Sequence, residues 1–368
     1  MEKIETNALG GGGAFIRSII LRDGLTEIGE NAFFNCTNLE SVVIPKTIVK
    51  IDSFAFAWSG LKSIILPYGL TKIDYGVFCG CSNLEIIVIP ETVTKIGPSA
   101  FARSGLKSII LPNGITEIGK EAFRDCHNLE TIVIPETVTK IGPGAFANSR
   151  LKSIILPDGR LTEIGEEAFM KCYKLETIVI PKTVTKIGPG AFSRSVLESI
   201  TLPDRLTEIE ENTFRDCRKL ETIVIPETVT KIGPGAFSWS RLKSITLLDG
   251  RLTEIGEGAF MQCHNLETII IPKTVTEIGP SAFKYSGLKS ITLPNGLIEI
   301  GDHAFHVCRN LESIVIPETV TEIGHNAFAN SGLKSMTLPD GVKIGKDVFY
   351  GCYDLVVKYK NQSQCILQ

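Results

Sequence analysis

The last four residues, which read Cys-Ile-Leu-Gln from Cys365, carry the most specific chemistry in the sequence. A cysteine followed by two aliphatic residues and a permitted final residue is the pattern that protein prenyltransferases modify, and a final glutamine favours a farnesyl group. Lys358 and Lys360 precede the pattern, and we expect residues 360–368 to form the flexible, exposed tail that such an enzyme requires. We therefore predict a prenyl group on Cys365. The alternative is an unmodified terminus in an organism that lacks the enzyme.

A second set of thiols recurs along the chain. Eight of the ten cysteines lie three residues after a phenylalanine in every second repeat, and serines take that place in the alternate repeats. The eight are Cys36, Cys81, Cys126, Cys172, Cys217, Cys263, Cys308 and Cys352. Neighbouring cysteines are two coils apart, about 9–10 Å at a strand spacing of ~4.8 Å, whereas a disulfide needs Cα atoms within about 7 Å. We therefore predict a column of reduced, buried and inert thiols.

Other patterns for catalysis or ligand binding are missing from the sequence. The five histidines are scattered and no Cys-x-x-Cys pair occurs, so no metal site is predicted. The glycines at 10–13 are not followed by Lys-Ser/Thr, so they do not form a phosphate loop. A net charge of -3 without a basic stripe argues against a nucleic-acid partner. We predict no catalytic residues and no cofactor.

A repeat of 22–24 residues must position all of these side chains. Fifteen units begin at Ile16, Leu39, Leu61, Leu84, Leu106, Leu129, Leu151, Leu175, Leu197, Leu220, Leu242, Leu266, Leu288, Leu311 and Leu333. Leu-x-x-Ile-x-Ile-Pro alternates with period two, which predicts a strand that ends at proline. Val-Thr-Lys-Ile-Gly predicts a short second strand, and Ala-Phe-x-x-Cys/Ser predicts one helical or 3₁₀ turn. Fifteen phenylalanines in this last segment, from Phe33 to Phe349, predict a stacked aromatic column in the core.

Stacked repeats of this length bury an apolar face that no single repeat can bury. We predict a lead-in or cap over residues 1–15, a single solenoid over 16–359 and a tail over 360–368. The elements Leu-x-x-Ile-x-Ile-Pro, Val-Thr-x-Ile-Gly and Ala-Phe-x-x-Cys resemble the BspA-like, or treponemal-type, family of leucine-rich repeats over roughly residues 16–359. The resemblance implies a right-handed leucine-rich repeat solenoid of about fifteen coils with a parallel β-sheet on one face. It implies no catalytic residues, and it suggests a cell-surface protein that adheres to host proteins or other cells.

Two columns on the expected sheet face could carry function. The second place of successive strands alternates in charge from Arg17 and Glu40 to Lys152, which predicts ion pairs between neighbouring coils. The fifth place should point outward, yet it is aliphatic from Ile20 to Val179 and alternates with threonine afterwards. The candidate partner-binding stripe consists of Ile65, Val88, Ile110, Val133, Ile155 and Val179. Exposed apolar surface of this kind marks binding sites; the alternative is that β-branched residues are present because they favour strands.

Glutamates interrupt the charge alternation in two places. The first run, which predicts a local acidic spot on the sheet face, is Glu176, Glu198 and Glu221. The second run, in the second strand of each repeat, is Glu254, Glu277, Glu299 and Glu322. The alternative for both is an ordinary solvated face.

Together these patterns predict a non-enzymatic repeat protein that binds a protein partner or mediates adhesion, tethered to a membrane by a prenyl group on Cys365. The N-terminal stretch has no apolar segment of the kind found in secretory signals, so we expect a cytoplasmic, membrane-associated protein. The family resemblance favours a host extracellular or cell-surface protein as the partner and allows a cell-surface location. The alternative is an unlipidated bacterial or protist surface adhesin, or a cytosolic scaffold.

Overall fold

Short parallel β-strands are the regular secondary structure of the computed structural model, which describes residues 2–10 and 15–359. The chain divides into two units, residues 1–184 and 185–368. The strands of the first unit are β1 (Glu2–Ile4), β2 (Ser18–Ile20), β3 (Leu25–Ile28), β4 (Ser41–Val43), β5 (Lys50–Ile51), β6 (Ser63–Ile65), β7 (Lys72–Ile73), β8 (Ile86–Val88), β9 (Lys95–Ile96), β10 (Glu117–Ile118), β11 (Thr131–Val133), β12 (Lys140–Ile141), β13 (Ser153–Ile155), β14 (Glu163–Ile164) and β15 (Thr177–Val179). The strands of the second unit are β16 (Lys186–Ile187), β17 (Ser199–Thr201), β18 (Glu208–Ile209), β19 (Thr222–Ile225), β20 (Lys231–Ile232), β21 (Ser244–Leu247), β22 (Glu254–Ile255), β23 (Thr268–Ile270), β24 (Glu277–Ile278), β25 (Ser290–Thr292), β26 (Glu299–Ile300), β27 (Ser313–Val315), β28 (Glu322–Ile323), β29 (Ser335–Leu338), β30 (Lys343–Ile344) and β31 (Val356–Tyr359).

Two parallel ladders run through the first unit. The first ladder is built from the Leu-x-x-Ile-x-Ile segments and includes the pairs β2–β4, β6–β8 and β11–β13. The second ladder is built from the Val-Thr-x-Ile segments and contains β1–β3–β5 and β7–β9–β10–β12–β14. Equivalent residues of successive repeats pair, as Val133 does with Ile155.

The second unit repeats this arrangement. Its first ladder includes β19–β21, β23–β25 and β27–β29–β31. Its second ladder runs from β18 through β20, β22, β24, β26 and β28 to β30. Because both units place equivalent residues of successive repeats side by side, the predicted parallel β-solenoid of about fifteen coils is confirmed.

The segment around the repeated phenylalanine is a turn, and the predicted helical or 3₁₀ turn is not confirmed there. The N–H of Phe33 donates to the carbonyl of Ala55 in the next coil at 2.7 Å, whereas the N–H of Ala32 donates to a carbonyl three residues earlier at 3.2 Å. Asn31 and Asn35, on either side, have left-handed φ angles of 53° and 57°. An α-helix would need bonds to the carbonyl four residues earlier, and both α- and 3₁₀-helices need an unbroken run of negative φ angles, which Asn31 and Asn35 interrupt. Coil-to-coil hydrogen bonds replace those bonds here.

The residue two places after each column phenylalanine is left-handed in every repeat. We call these positions the left-handed column: Asn35, Trp58, Gly80, Arg103, Asp125, Asn148, Lys171, Arg194, Asp216, Trp239, Gln262, Tyr285, Val307, Asn330 and Gly351. Few non-glycine residues adopt this conformation. At Trp58 a hydrogen bond holds this conformation: the backbone N–H donates to the carbonyl of Cys79 in the next coil at 2.7 Å.

The repeated phenylalanines stack within each unit, as predicted. From Phe33 to Phe169, adjacent ring centroids for which a contact is resolved lie 5.1–5.8 Å apart. From Phe192 to Phe349 the corresponding distances are 5.2–6.3 Å. The rings are nearly parallel and, apart from Phe349, buried beside the leucines and isoleucines of the two ladders. Each ring therefore covers the next, so that the core is continuous along each unit.

Residues 2–10 form part of a further coil. Strand β1 pairs with β3, and the N–H of Leu9 donates to the carbonyl of Ala32 at 2.8 Å. This bond matches the one that each column phenylalanine makes in the full repeats, so Leu9 takes the place of a column phenylalanine. The thiol of Cys36 lies 3.5 Å from the carbonyl oxygen of Leu9. The described part of the predicted lead-in thus covers the first full coil.

Candidate functional site

The candidate partner-binding stripe lies in one exposed column on the first ladder of the first unit. Its six members, Ile65, Val88, Ile110, Val133, Ile155 and Val179, are 50–87% exposed. Ile20 and Val43, which pair with each other, have the same orientation and extend the column toward the N-terminus. We call these eight residues the aliphatic column. The strand alternation explains the exposure, because the residues on either side of each member, such as Ile64 and Leu66, point into the core.

The same place in the second unit is only half aliphatic. Val224, Ile270 and Val315 are exposed there, and every second position is threonine instead. The uninterrupted aliphatic column is therefore a property of the first unit, as the sequence predicted. It gives a narrow apolar strip that is bordered by Ser and Thr side chains at the third place of each strand, except at Ile86.

Ion pairs lie on the same side of the strip, beyond these Ser and Thr side chains. Lys62 contacts Glu40 at 2.7 Å, and equivalent pairs join Lys107 to Glu85 and Lys152 to Glu130, each at 2.8 Å. Each lysine bonds to the carboxylate of the preceding coil. The hydrogen bond from Lys62 lowers the pKa of Glu40. The predicted pairing between coils is confirmed, and because these pairs are exposed their main effect is on alignment of the coils rather than on stability.

Lysines offset part of the negative charge in the first of the two glutamate runs. In the second unit, Glu198 bonds to Lys219 at 2.9 Å and Glu221 bonds to Lys243 at 2.8 Å. These two members of the predicted acidic spot are therefore neutralised by neighbouring lysines. The second run remains a ladder of like charges, because Glu277 pairs in register with both Glu254 and Glu299.

The cysteine column is a set of buried hydrogen-bonded thiols. The Sγ of Cys81 lies 3.0 Å from the carbonyl oxygen of Phe56 and 3.4 Å from the Oγ of Ser59, both in the preceding coil. The same contacts recur from Cys126 onward. Burial raises the pKa of Cys81 to about 12, so its thiol stays protonated at neutral pH. The structure shows no disulfide among the described cysteines, and of the eight column cysteines all except the half-buried Cys352 are buried, as predicted.

Cys365, the predicted lipidation site, lies outside the described residues. Within 2–10 and 15–359, no group of three or more His, Cys, Asp or Glu side chains is arranged to hold a metal ion. The same residues include no helix with the length and apolar character needed to cross a bilayer.

A surface groove that the sequence reasoning missed lies along the left-handed column of the first unit. Arg103 places its guanidinium carbon 6.0 Å from the ring centroid of Trp58, and its Nε donates to Asp125 at 3.3 Å. Asn148 donates to the same carboxylate at 2.5 Å. Burial raises the pKa of Asp125, but the hydrogen bonds from Asn148 and Arg103 outweigh it and lower the pKa overall. The signal for this groove is the variable residue two places after each phenylalanine.

An equivalent groove in the second unit contains the other tryptophan of the sequence. Trp239 occupies the left-handed column, 44% exposed, and lines an open cavity of about 480 Å³ with Arg241 and His264. Both tryptophans thus occupy the same place in the repeat. The two grooves differ in charge, because the arginine beside Trp58 is paired with a carboxylate, whereas Arg241 has no ion pair among the described residues.

Comparisons with known proteins agree with this architecture. The family model for the BspA type leucine rich repeat region matches residues 2–130, 116–243 and 230–356. A crystal structure of a leucine-rich repeat protein from Bacteroides ovatus is similar at 29% identity and a TM-score of 0.74, covering 92% of this chain and 85% of that one. A leucine-rich repeat protein from Eubacterium ventriosum has 23% identity, a TM-score of 0.54 and coverage of 87% and 84%. None of the curated proteins searched matches the sequence. Since the family model spans nearly the whole described chain, the protein belongs to the BspA-type leucine-rich repeat family.

Proposed function

We propose that this protein is a non-enzymatic scaffold that binds a protein partner through the aliphatic column of its first unit. The observation that carries the proposal is the exposure of eight successive β-branched side chains, 50–87% each, on a sheet whose other outward places are mostly polar. Isolated exposed aliphatic residues are common, but a contiguous apolar strip on a soluble protein is typical of a binding site. Leucine-rich repeat folds are, as a class, scaffolds for protein binding, which agrees with this reading.

The dimensions of the aliphatic column suit an elongated partner surface. Eight coils at about 4.8 Å each give a strip about 34 Å long between the first and last members. An amphipathic helix rises 1.5 Å per residue, so roughly 23 residues would match this length. The partner we propose is therefore a protein that presents a long, narrow apolar stripe, with polar residues at its margins to meet the Lys–Glu pairs beside the column.

The test is to place charges in the column without disturbing the core. Ile110→Asp and Val133→Asp together should abolish binding, because the partner would have to desolvate two carboxylates. The matched control is Ile270→Asp with Val315→Asp, at the same place of the repeat in the second unit, where the column is interrupted. Immobilised full-length protein would be incubated with extracellular and cell-surface proteins, and bound proteins quantified by mass spectrometry. If the first variant and the control retain the same proteins as the unmodified chain, the column is not the partner surface.

Adhesion to a host or cell-surface protein is the narrower form of this proposal. Its support is the resemblance to BspA-like repeats, and the same binding experiment tests it when the bound proteins are identified. If only intracellular proteins depend on the intact column, the protein is a scaffold and not an adhesin.

We further propose that Cys365 carries a prenyl group that holds the protein at a membrane. The support is the Cys-Ile-Leu-Gln sequence and the position of Cys365 outside the cysteine column. The proposal requires Gln368 to be the carboxyl-terminal residue of the protein. Intact mass spectrometry of protein purified from its own cells should show a farnesyl adduct with loss of the last three residues. An unmodified mass, or a chain that continues past Gln368, contradicts it.

A further inference from the structure

The second unit carries a groove whose charge and aromatic content set it apart from the aliphatic column. Two neighbouring open cavities, of about 480 and 400 Å³, share His264 as a common wall. Trp239 and Arg241 line the first cavity, and Tyr285 and Arg309 line the second. We call the continuous surface formed by these five residues the basic-aromatic groove. It follows the left-handed column and the loop that precedes each Leu-x-x-Ile strand.

Two arginines of this groove are available to a ligand. Arg241 and Arg309 are exposed, and neither makes an ion pair with any residue that the structure describes. The carboxylate nearest in the groove, Asp216, is already bonded to the Nε of Arg218 at 2.7 Å. The groove therefore presents two uncompensated guanidinium groups, to which His264 adds a further donor.

The glutamates at the second place of the neighbouring strands do not offset the positive charge of Arg241 and Arg309. Glu221 bonds to Lys243 at 2.8 Å, and the equivalent glutamates of later coils bond to lysines in the same way, Glu267 at 2.8 Å and Glu312 at 2.7 Å. Each of these carboxylates is neutralised within its own column. An anionic ligand in the basic-aromatic groove would consequently face arginine, not glutamate.

Two aromatic side chains accompany the arginines: Trp239 lies in the coil of Arg241, and Tyr285 lies in the coil before that of Arg309. The N–H of Trp239 donates to the carbonyl of Met261, and the N–H of Tyr285 donates to that of His306, both at 2.9 Å in the next coil. These coil-to-coil bonds fix the backbone from which each ring projects. Tryptophan, tyrosine and arginine are the residues that most often carry the binding energy of protein interfaces.

The spacing of the two arginines indicates the shape of the ligand. They lie three coils apart, about 14 Å at ~4.8 Å per coil. An extended peptide advances about 3.4 Å per residue, so residues four apart are separated by ~14 Å and point to the same side, with the residue midway between them. We propose that the basic-aromatic groove binds an extended acidic segment of a partner protein, with carboxylates at two positions four residues apart and an apolar side chain midway against the aromatic rings. Arginine suits this role because its guanidinium binds carboxylates with two parallel hydrogen bonds.

Other polyanions fit the observations less well than a peptide. A single-stranded nucleic acid or a sulfated polysaccharide carries closely spaced charges and would be matched by a continuous basic track. The groove instead offers two separated arginines on a chain with a net charge of -3. The corresponding groove of the first unit is an internal comparison, since the charge of its Arg103 is offset by the bonded carboxylate of Asp125.

The test uses the full-length chain and a fluorescein-labelled peptide, Ser-Glu-Thr-Leu-Thr-Glu-Ser, followed by fluorescence anisotropy. The unmodified protein should bind it, and replacing both glutamates with glutamine should weaken binding about tenfold or more. Arg241→Glu with Arg309→Glu should weaken binding to the same extent. Arg205→Glu with Arg251→Glu is the control, since both arginines are exposed, lie outside the groove and change the net charge equally. This control should alter the affinity by less than about twofold.

Three outcomes would overturn the proposal. One is that the unmodified protein does not bind the peptide. Another is that both double variants weaken binding equally, which would show a non-specific charge effect. The third is that an oligothymidylate or a heparin-derived oligosaccharide binds more tightly than the peptide and loses affinity in the groove variant alone, which would assign the groove to another polyanion. Circular dichroism of each variant would check that the fold is retained. Failure here leaves the aliphatic column untested, because that surface lies in the first unit.

Discussion

At the scale of single residues, the cysteine column shows how the repeat controls thiol chemistry. From Cys81 onward, each thiol contacts the phenylalanine carbonyl and the serine of the coil before it, as Cys172 contacts Phe146 and Ser149. Burial raises the pKa of Cys172 to about 12. The cysteine therefore acts as a small apolar residue with a weak hydrogen bond, and its recurrence has no catalytic meaning.

The raised pKa of Cys172 predicts a pH dependence of stability. In the unfolded chain this thiol ionises near its ordinary pKa of 9.0, whereas in the folded chain it stays protonated until about pH 12. The free energy of unfolding should therefore fall as the pH rises through this window, by about 1 kcal/mol per thiol between pH 8 and pH 10. Cys172→Ala should remove its share of that fall. Urea unfolding at both pH values measures it, with Val77→Ala as a buried control that does not titrate. An equal fall in Cys172→Ala and in the unmodified protein would contradict the prediction.

At the scale of elements, the phenylalanine stack is the main link between coils. Phe146 lies 5.4 Å from Phe123 and 5.5 Å from Phe169 by ring centroid, and its backbone N–H bonds to the carbonyl of Ala168. A ring at this position thus stabilises two interfaces at once. Loss of one ring would leave a cavity between two coils that the backbone ladders hold at a fixed spacing.

Phe146→Ala should accordingly lower the free energy of unfolding by about 3–5 kcal/mol. Phe34→Ala removes the same side chain from a partly exposed position beside the column and should lower it by less than about 1 kcal/mol. Chemical denaturation of both variants measures the difference. Equal effects would mean that the stack contributes no more than an ordinary surface contact.

The sequence predicted the elements well where one residue type has one structural use. Proline follows the first strand in nearly every repeat, and phenylalanine occurs in the turn of every repeat. From these two positions the sequence predicted where the two ladders lie. The conformation of the turn could not be predicted from one repeat, because it depends on hydrogen bonds between coils. Trp58 and Arg103 give no sign of a left-handed backbone, and only some members of the same column, such as Gly80 and Asn148, are residues that favour one. The grooves were missed for the same reason, since the partners of a long side chain lie one or two coils away.

At the scale of the whole molecule, an open end of a solenoid exposes apolar side chains that need a cover. Residues 2–10 supply this cover in the first unit, with Leu9 at the place of a column phenylalanine and β1 along β3. The sequence predicted a lead-in over 1–15 but not this half coil, because leucine replaces phenylalanine and glycines replace the rest of the repeat.

Removal of residues 1–14 should therefore loosen the first coil. Amide hydrogen exchange at residues 25–36 should accelerate, because the N–H of Gly29 bonds to the carbonyl of Ile4, and the loss of a terminal cover should propagate inward with decreasing effect. Exchange measured by mass spectrometry on peptides of the truncated and full chains checks this, with residues 130–155 as an internal control. Unchanged exchange at residues 25–36 would show that the first coil needs no cover.

The left-handed column has a consequence for how this family can diversify. Backbone N–H groups in this column donate hydrogen bonds to the next coil. Tryptophan, arginine, aspartate, valine and glycine therefore all occur at one backbone geometry. Most coils thus offer an exposed or half-exposed position whose side chain can change while the backbone stays the same. Gly80 is an exception, because it is buried and a Cβ there would meet the ring of Trp58 in the preceding coil. A new binding specificity could therefore arise from single residue replacements along this column, and the same positions are the natural targets for engineering one.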